Sequence, residues 1–329
     1  MSQFVLCSED DLASKYVTII QPFWLDKVLH GTLEGAGKVD IAYAYVLNPQ
    51  ATGSVVISSG RIESLIKYKE IIYDLYENGY SVFIHDHRGQ GLSGRMLTNP
   101  QIGYVENFAE YVTDFKRFID KVVSKKTRHK PKLLCHSMGG AIGFLTVLRY
   151  PELFEKVAFS APMFGIRPAL PNWLASLMLS LHGALNKQTA YFFGQKDYNN
   201  LPFAANELTH SESRYQIFRQ EYLIAPELQL GGVSGYWLKM ATHAMDEIEQ
   251  NAHRFPIPAL VIQAGADQIV DNKRQSRVVA KMAHTELRVI QGSKHELLEE
   301  QDKFRVPCLD AVLEFFENSK PQVMIQTRL

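Results

Sequence analysis

Along this chain, short apolar runs alternate with segments whose apolar positions recur every three or four residues. Residues 41–47 (Ile-Ala-Tyr-Ala-Tyr-Val-Leu) alternate as a strand and stop at Asn48-Pro49. Residues 53–58 read as a second strand, followed by a helical pattern (Leu65, Ile66, Ile71, Ile72, Leu75) that closes at Asn78-Gly79. Further strands are predicted at 81–86, 133–135, 156–162, 259–265 and 286–290, with helices over about 108–124, 273–282 and 304–317. Residues 1–37 are weakly patterned, with Phe23 and Trp24 expected to pack against the body. Between 164 and 255 no strand pattern occurs. Strands alternating with helices predict a mainly parallel sheet covered on both faces. The interruption predicts an inserted helical cap, so the chain divides into a core over 1–163, a cap over 164–255 and the rest of the core over 256–329.

The stretch around which the pattern turns is Lys-Leu-Leu-Cys-His-Ser-Met-Gly-Gly-Ala-Ile-Gly-Phe at 132–144. It reads as a buried strand, a sharp turn and a helix packed close to the sheet. Ser137 at such a turn takes a strained conformation, so the residues two places either side must be small. Gly139 meets this demand; Cys135 stands where glycine is usual. On its own the stretch also suits a plain tight turn with Ser137 capping the helix. Chemistry in parallel α/β sheets collects beyond the carboxyl ends of the strands. Asp267 follows the strand at 259–265, and His295 follows the strand at 286–290. Serine, acid, histidine in that order, each at a strand end, belongs to the α/β-hydrolase fold. Asp271, just before the next helix, is expected to be its N-cap. An oxyanion hole needs two N–H donors; Met138 follows the serine, and Arg61 lies in the loop after the strand at 53–58.

Composition narrows the setting. The 329 residues are 46% hydrophobic and 21% charged, with 35 basic and 35 acidic side chains, so no overall field favours nucleic acid. Cys7, Cys135 and Cys308 are too few and too far apart for a disulfide framework, which fits a reducing compartment. Cys135 is expected to be an inert packing residue. The N-terminus lacks the basic start of a secretory signal, and no apolar stretch could span a bilayer. A cytoplasmic protein is expected, with peripheral contact at a membrane left open. His85-Asp86-His87 is not joined by further ligand residues, so no metal is expected. The basic run at 125–132 falls at the sheet's amino edge and reads as a solvated loop.

Ser-Gly-Arg-Ile-Glu-Ser at 59–64, Asp-His-Arg-Gly-Gln-Gly-Leu-Ser at 86–93, His-Ser-Met-Gly-Gly at 136–140, Ala-Pro-Met-Phe at 161–164 and Asp-Gln-Ile-Val-Asp-Asn at 267–272 carry a resemblance. Together they resemble the monoacylglycerol lipases, and within that group the bacterial lysophospholipases. The resemblance covers residues 20–318. It departs at Ser59, where relatives often carry histidine, and at Cys135. It implies a serine hydrolase without cofactor that cleaves the single acyl ester of a lysophospholipid, with acyl transfer as a side reaction. A monoacylglycerol lipase, a general carboxylesterase and a lysophospholipid acyltransferase are the alternatives.

The cap adds two expectations. No Asp, Glu, Lys or Arg occurs from 168 to 186. A helix there is either buried on the body or a lid whose Trp173, Leu177, Met178 and Leu181 line an acyl pocket and meet lipid. The Arg61 side chain is expected near the glycerol end of the substrate, with Arg88 and Arg95 in reach; the other reading pairs Arg61 with Glu63.

Overall fold

The computed structural model describes residues 2–167, 172–184 and 189–318. Eight strands make one sheet: β1 (Leu29–Glu34), β2 (Asp40–Val46), β3 (Gly53–Ser58), β4 (Tyr80–His85), β5 (Lys132–His136), β6 (Val157–Ser160), β7 (Ala259–Ala264) and β8 (Thr285–Ile290). Their spatial order is β1-β2-β4-β3-β5-β6-β7-β8; β2 is antiparallel to both neighbours, and every pairing from β4 to β8 is parallel. The helices are α1 (Leu12–Lys15), which continues through a π-helical stretch into α2 (Gln21–Lys27), then α3 (Lys69–Glu77), α4 (Ala109–Phe118), α5 (Met138–Arg149), α6 (Asn172–Ala184), α7 (Glu212–Ile224), α8 (Gly235–Asn251), α9 (Asn272–Val279) and α10 (Asp302–Glu317).

Strands β4 and β7 are buried at every residue, as expected of parallel strands covered on both faces. Successive side chains point to opposite faces. Val56 of β3 joins the core under α4, α5 and α8, while Val55 and Ile57 join the core under α2, α3 and α10. Phe23 and Trp24 are buried in the second core. β1 was absent from the sequence pattern. Only its Leu33 is buried, so an exposed antiparallel edge strand shows no apolar alternation.

The expected cap of 164–255 divides. β6 ends at the carboxyl edge, and its parallel neighbour β7 starts at the other, so a crossover must join them. α8 is that crossover: its Trp237, Ala241, Ala244, Met245 and Ile248 belong to the same core as α4 and α5. Within the expected cap, α8 thus packs as part of the core, and α6 and α7 precede it in the chain. α7 is tied to the body by buried charge. Arg214 Nη2 meets Glu70 Oε1 at 2.9 Å, and Lys69 Nζ meets Glu221 Oε1 at 2.5 Å. Beside them Arg305 Nη2 meets Asp74 Oδ2 at 2.6 Å. No helix among the described residues is long and apolar enough to cross a membrane.

Candidate active site

Ser137 has φ 50° and ψ −117°, between the end of β5 and the first turn of α5. Its N–H donates to Ser160 O at 3.2 Å, and its carbonyl accepts from Met163 N at 2.8 Å. A Cβ on Gly139 would collide with the carbonyl oxygen of Ser58, so only glycine fits there. The unusual Cys135 has its own complement: a Cβ on Gly143 would collide with the Cys135 Sγ. Room missing in the strand is thus made in the helix one turn on. The thiol is fully buried, and burial pushes its pKa well up, as expected of a packing residue.

The structure brings Ser137, His295 and Asp267 together. His295 Nε2 lies 2.9 Å from Ser137 Oγ, and His295 Nδ1 lies 2.8 Å from Asp267 Oδ2. The carboxylate accepts from Nδ1–H, which leaves Nε2 free to accept the serine proton. Asp267 Oδ1 in turn accepts from Ile269 N at 2.8 Å and Val270 N at 3.0 Å. Burial opposes ionisation of Asp267, but His295 and these two N–H groups outweigh it and hold its pKa below the usual range. Asp271 caps α9 instead, accepting from Lys273 N at 2.9 Å and Arg274 N at 3.1 Å.

The loop after β3 is fixed from several sides. Gly60 N–H donates to Glu63 Oε2, while Gln90 Nε2 donates to Gly60 O at 2.7 Å and Glu63 O at 2.9 Å. Glu63 also accepts from Lys67 and Tyr68, each at 2.6 Å. Burial opposes its charge, yet Lys67 and His136 hold the Glu63 pKa well below the ordinary carboxylate range. Gly60 N–H is therefore engaged. The N–H groups of Arg61 and Met138 have no acceptor among the described residues. Next to them Ile62 takes φ 64°, an unusual conformation for a β-branched residue, and its carbonyl accepts from Tyr222 Oη of α7 at 2.8 Å. Sequence reasoning missed Gln90, Tyr222 and the holding role of Glu63. Of these Glu63 and Gln90 left a signal, inside the motifs at 59–64 and 86–93, and Tyr222 left none.

A cavity of about 490 Å³ opens above Ser137. Its far wall is formed by residues 194–232, with Leu201, Leu208, Phe218 and Leu230 among the apolar ones. Of the expected acyl-pocket residues, three can be placed, and these three do not line it. The Trp173 side chain falls outside the described residues. Leu177 and Leu181 are 48% and 50% exposed, and neither they nor Met178 line this cavity. The helix packs on α8 and leaves these two leucines outward. Arg61 lines the cavity and does not pair with Glu63, whose partner is Lys67. Arg88 is bound to Asp114 at 2.6 Å and Glu110 at 2.7 Å, and Arg95 donates to the carbonyls of Ser93, Pro100 and Glu227. Neither reaches the cavity. His85 and His87 pack edge to face, 4.7 Å apart, and burial lowers both pKa values. The ligand atoms of Cys7, Glu70 and Asp74 lie close together, but the guanidiniums of Arg214 and Arg305 already neutralise the two carboxylates.

The family model described as serine aminopeptidase, S33 (Hydrolase_4), matches residues 49–302. Lysophospholipase L2 of Escherichia coli (strain K12) is 37% identical over 276 residues, which cover 80% of this chain and 79% of that protein. The chain belongs to this hydrolase family, in its lysophospholipase L2 branch. Another member of the branch, the probable lysophospholipase L2 of Haemophilus influenzae, is 31% identical over 285 residues, 86% of this chain and 90% of that one. Among solved structures, the monoacylglycerol lipase of Paleococcus ferrophilus superposes with a TM-score of 0.66 at 20% identity, over 84% of this chain and 97% of that chain. At that identity the likeness speaks for the fold alone, and the fold is that of the α/β-hydrolases.

Proposed function

We propose that the protein is a lysophospholipase that cleaves the acyl ester through an acyl-enzyme at Ser137. His295 Nε2 takes the hydroxyl proton as Ser137 Oγ attacks the ester carbonyl carbon, and Asp267 keeps Nδ1 protonated and the ring in place. The carbonyl oxygen becomes an oxyanion within reach of the unengaged N–H groups of Arg61 and Met138, where the N-terminus of α5 adds positive potential. Collapse breaks the bond to the glycerol oxygen, which receives the proton from His295. Water then attacks the acyl carbon and gives a proton to His295, the bond from that carbon to Ser137 Oγ breaks as Oγ takes the proton back from Nε2, and the fatty acid leaves. Every step uses side chains and backbone of this chain, and no cofactor is required.

The observation that carries this reading is the continuous hydrogen-bond path Ser137–His295–Asp267 at 2.9 and 2.8 Å, beside two N–H groups with no acceptor among the described residues. We place the acyl chain along Leu201, Leu208 and Phe218, and we place contact with a lipid surface at the exposed Leu177 and Leu181 of α6. A monoacylglycerol is the second reading, since those apolar walls would accept the chain whatever the head group. The test is a panel of lysophospholipids, monoacylglycerols and short esters of matched chains, with product analysis and labelling by a fluorophosphonate probe. Fatty acid release from lysophospholipid, and labelling abolished in Ser137→Ala, are expected. Labelling that survives Ser137→Ala would refute the assignment.

A further inference from the structure

Two arginines line the cavity above Ser137 without facing an acid. Arg61 donates through Nη1 to Gly231 O at 3.0 Å and lies over the Trp237 ring at 5.6 Å. Arg219, on α7, donates through Nη1 to Tyr198 Oη at 2.8 Å and lies 4.8 Å from the Tyr215 ring centre. Its Nε is buried with no hydrogen-bond partner. Among the described residues neither guanidinium has a carboxylate within ion-pair distance. Elsewhere in the molecule the buried arginines are neutralised: Arg88 by Asp114, Arg214 by Glu70, Arg305 by Asp74. The carboxylates of the cavity wall are already engaged or wet. Glu63 and Glu296 share Lys67, Asp197 accepts from Asn99 and Tyr191, and Glu207 is exposed. Burial without a counter-charge pushes the Arg61 pKa down to about 10. For Arg61 a partly buried cation without an anion is a cost that a ligand anion would remove, whereas burial of Arg219 is outweighed by its contacts with Tyr198 and Tyr215, which raise its pKa and keep it charged.

We propose that Arg61 and Arg219 form the subsite for the phosphodiester of the substrate head group, with Arg219 as its side-chain anchor on the inserted region. The proposal rests on the lysophospholipase reading. It assigns to Arg61 two tasks on one residue, the backbone N–H toward the ester oxyanion and the guanidinium toward the phosphate. The planar fork of a guanidinium matches two phosphate oxygens, and aromatic rings beneath it keep it flat and oriented. Tyr198 Oη accepts from Arg219 and keeps its own proton to donate to a phosphate oxygen. Continuity with the ester site runs through α7. Tyr222 bonds Ile62 O, and its ring centre lies 6.0 Å from that of Tyr198. A lysophospholipid fills this subsite, whereas a monoacylglycerol leaves both cations unmatched.

The test reads a selectivity ratio: kcat/KM for lysophosphatidylethanolamine over that for monoacylglycerol of the same chain, in wild type, Arg219→Gln and Arg219→Lys. Loss of a charge-assisted contact is expected to lower the ratio roughly 10- to 100-fold in Arg219→Gln, with partial recovery in Arg219→Lys. A merely structural role would lower both substrates together and leave the ratio unmoved, which would overturn the subsite. A second arm needs no turnover. Glycerophosphoethanolamine and inorganic phosphate are titrated into Ser137→Ala and into Ser137→Ala with Arg219→Gln. Binding of the diester that disappears with Arg219 supports the subsite. Binding that persists without Arg219, or that favours inorganic phosphate, overturns it. If wild type hydrolyses lysophospholipid but its ratio ignores Arg219, the subsite fails and the function stands. If diester binding depends on Arg219 but lysophospholipid is not hydrolysed, the function fails and the subsite stands.

Discussion

Helix α7 is fastened to the body by charge, while α6 is not. On α7, Arg214 is sunk against Glu70 and Glu221 reaches Lys69, so the helix cannot lift without exposing paired ions to separate solvation. The same helix holds the Ile62 carbonyl through Tyr222 and faces the cavity with Phe218 and Arg219. α6 packs on α8 and turns Leu177 and Leu181 to solvent. The difference assigns two kinds of work within one inserted region. The α7 half is a fixed wall whose position is part of the site's geometry. The α6 half is a surface that presents Leu177 and Leu181 to solvent.

The strongest test concerns the floor beneath both halves. Ser137→Ala or His295→Ala should lower kcat by several orders of magnitude in steady-state assays, with Asp267→Asn severe and Asp271→Asn mild. An inverted order for the two aspartates would move the orienting acid to Asp271 and undo the floor. Next comes the fastening itself. Arg214→Ala leaves Glu70 with a charge poorly matched in the interior, and a loss of about 3–5 kcal/mol is expected in urea unfolding. Leu181→Ser on the exposed face of α6 should stay within about 0.5 kcal/mol. Similar costs for the two would erase the contrast.

A smaller effect tests whether α7 reaches the chemistry. Tyr222→Phe removes one hydrogen bond to Ile62 O, worth about 1–3 kcal/mol where the carbonyl is left unsatisfied. The expected result is a fall in kcat of roughly tenfold with KM little changed, because the N–H of Arg61 is misplaced for the oxyanion more than for the bound ester. A change confined to KM would argue against this link. The smallest effect is set by pH. Burial, reinforced by Glu70 and countered by Lys67, Arg305 and Arg214, raises the Glu299 pKa to about 8. Between the ordinary carboxylate pKa and 8 the folded protein keeps a proton that the unfolded chain has released. Stability from this group is therefore lost as pH rises through that window. Glu299→Gln should flatten the decline in melting temperature from pH 5 to 8; a decline unchanged in that variant would assign it to other groups.

The sheet and the three polar residues at its edge were legible because each leaves a local mark. A buried parallel strand is an apolar run with turn residues beyond it, and Ser137, Asp267 and His295 each sit just past such a run. What was illegible depends on distant pairing. Tyr222 meets Ile62 across 160 residues, and nothing beside either one announces it. Arg88 and Arg61 look alike in sequence, both in loops after central strands, yet Asp114 claims one and no carboxylate claims the other. The absence of charge over 168–186 shows that a helix avoids ions there, without saying whether protein or something else covers its leucines. β1 was missed for a related reason, since its partner β2 supplies the order that its own sequence lacks.

The division between α8 and the helices before it bears on how such a protein can change over generations. The crossover from β6 to β7 is completed by α8, so the chain ahead of it is a detour that leaves and rejoins the carboxyl edge. Ile166 is bridged to Val270 where the detour departs, and Val233 is bridged to Gly103 where it returns. Both moorings belong to the core side. Between them the chain can vary while the sheet, the crossover and the serine elbow keep their connections, provided that α7 keeps its ties to Glu70, Lys69 and the Ile62 carbonyl.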